Sequence, residues 1–415
     1  MANSRIQELS DIIAASVATI QRGLKEKRLP LPSFDEDSPT TFPLDLTDAQ
    51  NSVIDATTEL RDLLMEPMLS IHSYGGHNNS LCQQAICRYG IASMVPVGGK
   101  ISFADIAKET PLTEQTVARL LRHAMTMRIF QEPTPGFVSH TKFSKILINP
   151  TTNDWLRAGT EEMWPASTKV LEALEKYPGS QEPSETGYTV ENKTTDSIYA
   201  FLGANPERAG RFGNAMAAYL QKPEHSPHYI TDYYDWASLG SATVVHLGGG
   251  AGQFAIEIAK KHANLSMIVQ DMGFMMGPRE AGVPDEVKGR VMFEEHDFFA
   301  QQTVEMDAIY IRWALRNWSD KYVLLALRAQ IPKLKSGSTI IIQDIILPEA
   351  GKVPLWKERY TRSNDLSLLA SFNSRERTVE DWKSLFQEAD KGFVLKNVFE
   401  PQGSALGILE FKWQG

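Results

Sequence analysis

The stretch TVVHLGGGAGQFAIEIAKKH, residues 243–262, decides the fold. Its first five residues are mostly β-branched and apolar, the composition of a buried strand. Gly248-Gly249-Gly250-Ala251-Gly252 follows at once, and QFAIEIAKKH then alternates apolar and charged positions at helical spacing. Glycines are needed in such a loop because the backbone must turn tightly and let a ligand approach with no Cβ in the way. The run Gly250-Ala251-Gly252-Gln253-Phe254-Ala255 satisfies the dinucleotide pattern with alanine last, so this motif alone leaves NAD open. Asp271, 19 residues beyond Gly252 at the end of the next apolar run, suits a ribose-hydroxyl acceptor. A loop-closing aspartate is the blander reading.

Outward from that stretch, strands alternate with helices: TVVHL, SMIVQ, AIYIRW and TIIIQDIIL are strand candidates, the rhythm of a mostly parallel α/β sheet. KGFVLKNVF and ALGILEF close the chain as an antiparallel hairpin turning near Pro401 and Gly403. Upstream, Ile6, Leu9, Ile12, Ile13, Val17, Ile20 and Leu24 mark an amphipathic helix, followed by a linker with Pro30, Pro32, Pro39 and Pro43. Thr47 reads as the N-cap of a second helix carrying Val53, Leu60, Leu63 and Leu64 and ending near Pro67. A helix set apart by a long linker often packs on a partner subunit, so a homodimer is expected.

Residues 101–147 read as a winged helix. Ser102 caps FADIAKE, Pro111 breaks it, Thr113 caps TEQTVARLLRHAMTM, and IFQEP and GFVSHT form two short strands around Thr134-Pro135-Gly136. Such a module can dock a helix in DNA, with Arg119 and Arg122 on it. The acidic chain favours the blander role, dimerisation and pocket lining. Residues 151–235 look mostly helical; Trp155, Met163, Trp164, Phe201, Phe212, Met216 and Tyr219 there are core positions, some of them fit to line an apolar pocket. The expected division is an arm (1–70), a winged-helix domain (71–150), a helical region (151–238) and a Rossmann-like domain (239–415).

A 415-residue chain with 42% hydrophobic and 22% charged residues has ample material for two or three cores. Net charge -9 argues against nucleic acid or an anionic membrane as partner. Cys82 and Cys87, lacking a secretory context, read as reduced thiols. The N-terminus has no signal-like apolar region, and no run approaches the ~18 apolar residues of a membrane span. A soluble, cytoplasmic protein without a structural metal is expected.

Four further strings carry a resemblance: HDFF (296–299), ALRNWSD (314–320), LPE (347–349) and SRERT (374–378). In this order and spacing the chain resembles the fungal and plant caffeate-type O-methyltransferases. That resemblance covers nearly the whole chain. It implies a class I S-adenosylmethionine (SAM) domain, an N-terminal, mainly α winged-helix dimerisation domain, and SAM as cofactor. It places Gly248, Gly250 and Gly252 around the methionine and ribose of SAM, Asp271 on the ribose, and Asp297 and Phe298 beside the adenine, with Arg312 and Trp318 nearby. The blander roles are packing for Trp318 and a capping box for Thr378 with Asp381.

The family deprotonates its phenol with a histidine where this chain has Arg316. A guanidinium with a pKa above ~12 cannot serve as a general base, though it can stabilise a developing oxyanion. The two acids that flank the family histidine fall at Asp344 and Glu376, while His246 occupies a usually acidic position. An arginine at this place also resembles the SAM-dependent pericyclases of fungal pyridone-alkaloid pathways (the leporin-pathway type). Those pair it with a wing histidine, here His140; the aspartate that follows their arginine is Asn317 in this chain. The leading expectation is therefore dehydration or pericyclic cyclisation (Diels–Alder, hetero-Diels–Alder or Alder-ene) of a polyketide- or pyridone-type intermediate, with SAM bound but unconsumed. The alternative is methyl transfer to a phenol or enol, with another base such as Asp344, Glu376 or a histidine from the helical region.

Overall fold

The computed structural model describes residues 4–276 and 282–415. The chain forms two compact units, each assembled from separate stretches. One holds Met1–Pro165, Leu202–Ala218 and Ala350–Tyr360; the other holds Ala166–Phe201, Tyr219–Glu349 and Thr361–Gly415. The expected arm and winged-helix segments fall in one unit, and the expected helical region is divided between both.

In the first unit, Ser4 caps the helix Arg5–Glu26 by accepting from Gln7 N, and Leu9 and Leu24 are its buried positions. The second helix runs Thr47–Leu64, but Thr47 does not cap it: Leu46 is the N-cap, at the end of the 3-10 turn Leu44–Leu46, and no side chain bonds there. Pro67 does not end a helix either. It opens a new one, Pro67–Gly75, because proline at the first turn sacrifices an N–H that has no intrahelical partner anyway; Glu66 accepts from Leu69 N. Ser102 and Thr113 cap their helices as expected. The wing comprises β1 (Ile101–Ser102), β2 (Gln131–Thr134) and β3 (Phe137–Ser139), in the order β1-β3-β2. Strand β2 starts later than IFQEP suggested, because Phe130 takes a left-handed φ of 66° and turns its ring into the core with Ile86, Val117, Leu121 and Val138.

The second unit is built on β4 (Ala242–Leu247), β5 (Leu265–Asp271), β6 (Val291–Glu295), β7 (Met306–Arg312), β8 (Leu334–Asp344), β9 (Phe393–Phe399) and β10 (Gly407–Trp413). Their order is β6-β5-β4-β7-β8-β10-β9, with β4 to β8 parallel and β10 antiparallel to both β8 and β9. The central strands read as unbroken apolar runs because both faces are covered. Trp236, Phe254, Ile258 and Tyr310 belong to one core cluster, Val323, Leu327, Trp382 and Phe386 to another. Edge strand β6, VMFEE, is short and half polar, and the sequence reading did not include it. From β4 the chain steps outward to β6, then returns to β7 and β8 on the other side. That reversal opens a crevice beyond the C-terminal ends of β4 and β7, where doubly wound sheets bind ligands. No helix among the described residues is long and apolar enough to cross a membrane.

Candidate active site

The glycine loop leaves β4 with three left-handed residues: Gly248 (φ 71°), Gly250 (φ 54°) and Gly252 (φ 79°). They differ in what surrounds them. A Cβ at Gly252 would stand 2.7 Å from the Phe293 ring, so that glycine permits close packing. A Cβ at Gly250 would meet nothing nearer than Met275 O at 3.9 Å, so the space beside it is open. Asp271, at the end of β5, accepts from Gly250 N at 2.8 Å with Oδ2 and from Met272 N at 2.7 Å with Oδ1. It thus does close the loop, yet each oxygen keeps a second lone pair for a ligand hydroxyl. Burial raises its carboxyl above the usual range, opposed by those two backbone bonds.

Asp297 is exposed and accepts from Phe299 N at 3.0 Å, while Phe298 is half buried. Trp318 packs edge-on against Phe299 at 4.7 Å and lies 5.6 Å from Tyr322 of the following helix, so the packing role expected for it is real. Arg312 ends β7 as a buried guanidinium 3.9 Å from the Phe254 ring centroid, with Nε and Nη2 unpartnered. His246 is also buried, and its Nδ1 is unpartnered. Burial, and then the Arg312 charge, push His246 down to about 3, leaving it neutral. Where the family usually has an acid, Arg312 therefore meets no counter-charge from this position. An open glycine cradle after β4, a half-buried carboxylate at the end of β5 on one side and an unpaired cation at the end of β7 on the other fit the ribose and amino-acid parts of SAM. Among the described residues no cluster could hold a metal ion.

Arg316 follows β7 in the turn Leu315–Asn317. Its Nη2 donates to Glu376 Oε1 and its Nε to Glu376 Oε2 at 3.2 Å, and Asp344 Oδ1 lies 3.8 Å from Nε. The side chains of Arg316, Asp344 and Glu376 are 13%, 2% and 0% exposed. Burial pulls the guanidinium down, but the hydrogen bonds and charge of Glu376, with that of Asp344, hold it above its ordinary value. Burial, opposed by the Arg316 charge and reinforced by that of Glu376, pushes Asp344 up to about 7. SRERT is fastened beneath this group: Ser374 Oγ donates to Trp318 O at 2.7 Å, Arg377 Nη2 donates to the same oxygen at 2.8 Å, and Asp365 accepts from Glu376 N at 2.6 Å.

Neither ring nitrogen of His140 is free in this structure. It is 1% exposed within the wing, its Nε2 lies 3.0 Å from Val95 O and its Nδ1 3.0 Å from Ser144 Oγ. Both nitrogens are consumed by local structure, so the residue fastens the wing. Asn317 donates to Tyr199 Oη at 2.9 Å, a contact an aspartate could make only as an acceptor.

Two residues absent from the sequence reading join the group. Trp313, the last residue of AIYIRW, is not in the strand; it takes φ 53° and presents its ring 5.4 Å from the Arg316 guanidinium. His225 lies 4.9 Å from Trp313, ring to ring, and Tyr219 packs edge-on against both. Burial, followed by the charges of Arg312, Lys222 and Arg316, holds His225 down at about 3. His225 lies in the helical region from which a histidine was one of the alternative bases, but nothing in the sequence singled out this one.

A family model for an O-methyltransferase domain matches residues 228–394, and one for an O-methyltransferase dimerisation domain matches residues 71–150. O-methyltransferase PaMT of Phomopsis amygdali is 40% identical over 410 residues, 98% of this chain and 96% of that protein. O-methyltransferase pyvH of Aspergillus violaceofuscus is 37% identical over 429 residues, covering both proteins in full. Among solved structures, OxaC superposes with TM-score 0.80 at 19% identity over 98% of each chain. LepI in complex with SAM gives 0.74 at 20% identity over 98% of this chain and 100% of that one. At those identities the two structures speak for the fold alone. With 40% identity along nearly its whole length, the chain belongs to the fungal SAM-dependent O-methyltransferase family.

Proposed function

We propose that this protein is a SAM-dependent O-methyltransferase of fungal secondary metabolism that acts on a phenol or enol. The reading is carried by Asp344, a buried carboxylate pushed up to about 7 that shares the Arg316 guanidinium with Glu376. An ordinary phenol has a pKa near ~10. Asp344, pushed up to about 7, lies nearer to a phenol than His225, which burial holds down at about 3. Asp344 is the better acceptor. Arg316 lowers the remaining gap, because its permanent charge favours the oxyanion over the neutral hydroxyl. Nη1 is the donor free for that task, since it makes no hydrogen bond among the described residues. Glu376 fixes the plane of the guanidinium and keeps it aimed. Bound at the glycine loop and Asp271, SAM supplies an electrophilic methyl group. The 40% identity to an O-methyltransferase supports the same reading.

The second reading is a pericyclic step with SAM unconsumed, favoured by Arg316 as a permanent donor where the family keeps a base. It loses the second donor it relied on, because both nitrogens of His140 are engaged. Incubation with SAM and a panel of phenols and enols, followed by product mass, separates the two. A gain of one methyl with release of S-adenosylhomocysteine supports methyl transfer; dehydration or isomerisation with SAM intact overturns it.

A further inference from the structure

Two buried hydrogen-bonding atoms beside Arg316 have no partner: Trp313 Nε1 and His225 Nδ1. Leaving such an atom buried without a partner is destabilising. The left-handed φ of 53° at Trp313 adds backbone strain for a residue with a Cβ. Burial does not impose this, since Trp236 in the same unit is fully buried and donates to Ile230 O at 2.9 Å. Trp382 also has an unpaired indole, but it stands alone with Arg377 5.1 Å over its ring. At Trp313 the strain and both orphans coincide, next to the group assigned above to the reacting hydroxyl.

We infer that Trp313 and His225 form a recognition subsite for a second oxygen, so that the substrate carries a carbonyl on the carbon next to the one bearing the reacting hydroxyl. The class is an ortho-acyl phenol or an enolised 1,3-dicarbonyl. The statement about the hydroxyl rests on the methyl-transfer reading. An indole N–H only donates, so it selects an acceptor such as a carbonyl oxygen. The imidazole is neutral, and in its Nδ1–H tautomer it donates to the same oxygen. Arg316, 5.4 Å from the Trp313 ring, then faces the neighbouring oxygen. Tyr219 closes the aromatic side against Trp313 and His225, suiting a flat conjugated ligand.

The probes are 2-hydroxyacetophenone and its 4-hydroxy isomer, equal in composition but differing in the distance between their oxygens. Both are titrated calorimetrically into the full-length protein with S-adenosylhomocysteine present. The 2-hydroxy isomer should bind about tenfold tighter, the worth of one hydrogen bond to a buried donor. Trp313→Phe, which keeps the ring and removes the N–H, should bring the two within about threefold, and His225→Phe should reduce the preference independently should the first variant not fold. No preference in the native protein, no binding of either isomer, or a preference untouched by both substitutions overturns the subsite. A preference intact with no methyl product from either isomer supports the subsite while removing the methyl-transfer reading.

Discussion

Arg316, Asp344 and Glu376 pack two carboxylates against one guanidinium, and their substitutions should move stability in opposite directions. An Asp344 carboxyl raised to about 7 binds its proton more tightly folded than unfolded. Its contribution to stability is therefore present at low pH and lost as pH rises from about 4 through about 7. Asp344→Asn removes that loss: its melting temperature should exceed the native one at pH 8 and match it near pH 4. The same change should cut kcat by about 10²–10⁴-fold and erase the rise in activity through pH 7, which a pH–rate profile would show. Arg316→Gln does the reverse to stability, because it leaves Glu376 and Asp344 buried without a cation. A loss of about 3–5 kcal/mol in urea unfolding is expected. If Asp344→Asn retains full activity, the assignment of the proton acceptor is wrong.

At the scale of elements, the glycine loop and the SRERT segment do different work. Gly252 packs on Phe293 and Gly250 faces open space. Gly252→Ala should therefore lower the melting temperature sharply. Gly250→Ala should fold with a small loss, yet weaken S-adenosylhomocysteine about tenfold or more by calorimetry. Equal effects on fold and binding at both positions would argue against a ligand at Gly250. In SRERT, Thr378 accepts from Asp381 N at 3.1 Å while Asp381 accepts from Thr378 N at 2.9 Å, a complete capping box for Val379–Ala389. Thr378→Ala should cost about 1 kcal/mol in denaturant unfolding. These loops were legible because capping and glycine chemistry are local. Trp313 was not: AIYIRW has the composition of a strand to its last residue, and its left-handed turn is imposed where the chain leaves β7. The engagement of His140 was not legible for a related reason, since only the fold brings Val95 O to its ring.

For the whole molecule, the helix Pro67–Gly75 leaves Met68, Leu69 and Ile71 exposed at 77%, 61% and 75%. An apolar face of that kind, adjoining the matched dimerisation domain, suits a subunit interface. Light scattering after gel filtration should report a dimer, and Ile71→Glu should shift it toward monomer; a monomeric native protein would overturn the expectation.

The sequence by itself determined the α/β alternation, the glycine loop with Asp271, the caps at Ser102, Thr113 and Thr378 and the hairpin, because strand period, glycine freedom and capping act over a few residues. It also showed that Arg316 cannot be a base, which is a property of the guanidinium alone. Only the tertiary structure decided what surrounds it. Asp344 and Glu376 meet Arg316 from distant parts of the chain, Trp313 and His225 join them with unpaired atoms, and His140 is fully engaged elsewhere. Burial, charge proximity and hydrogen-bond satisfaction arise between residues far apart in sequence, so no local pattern encodes them.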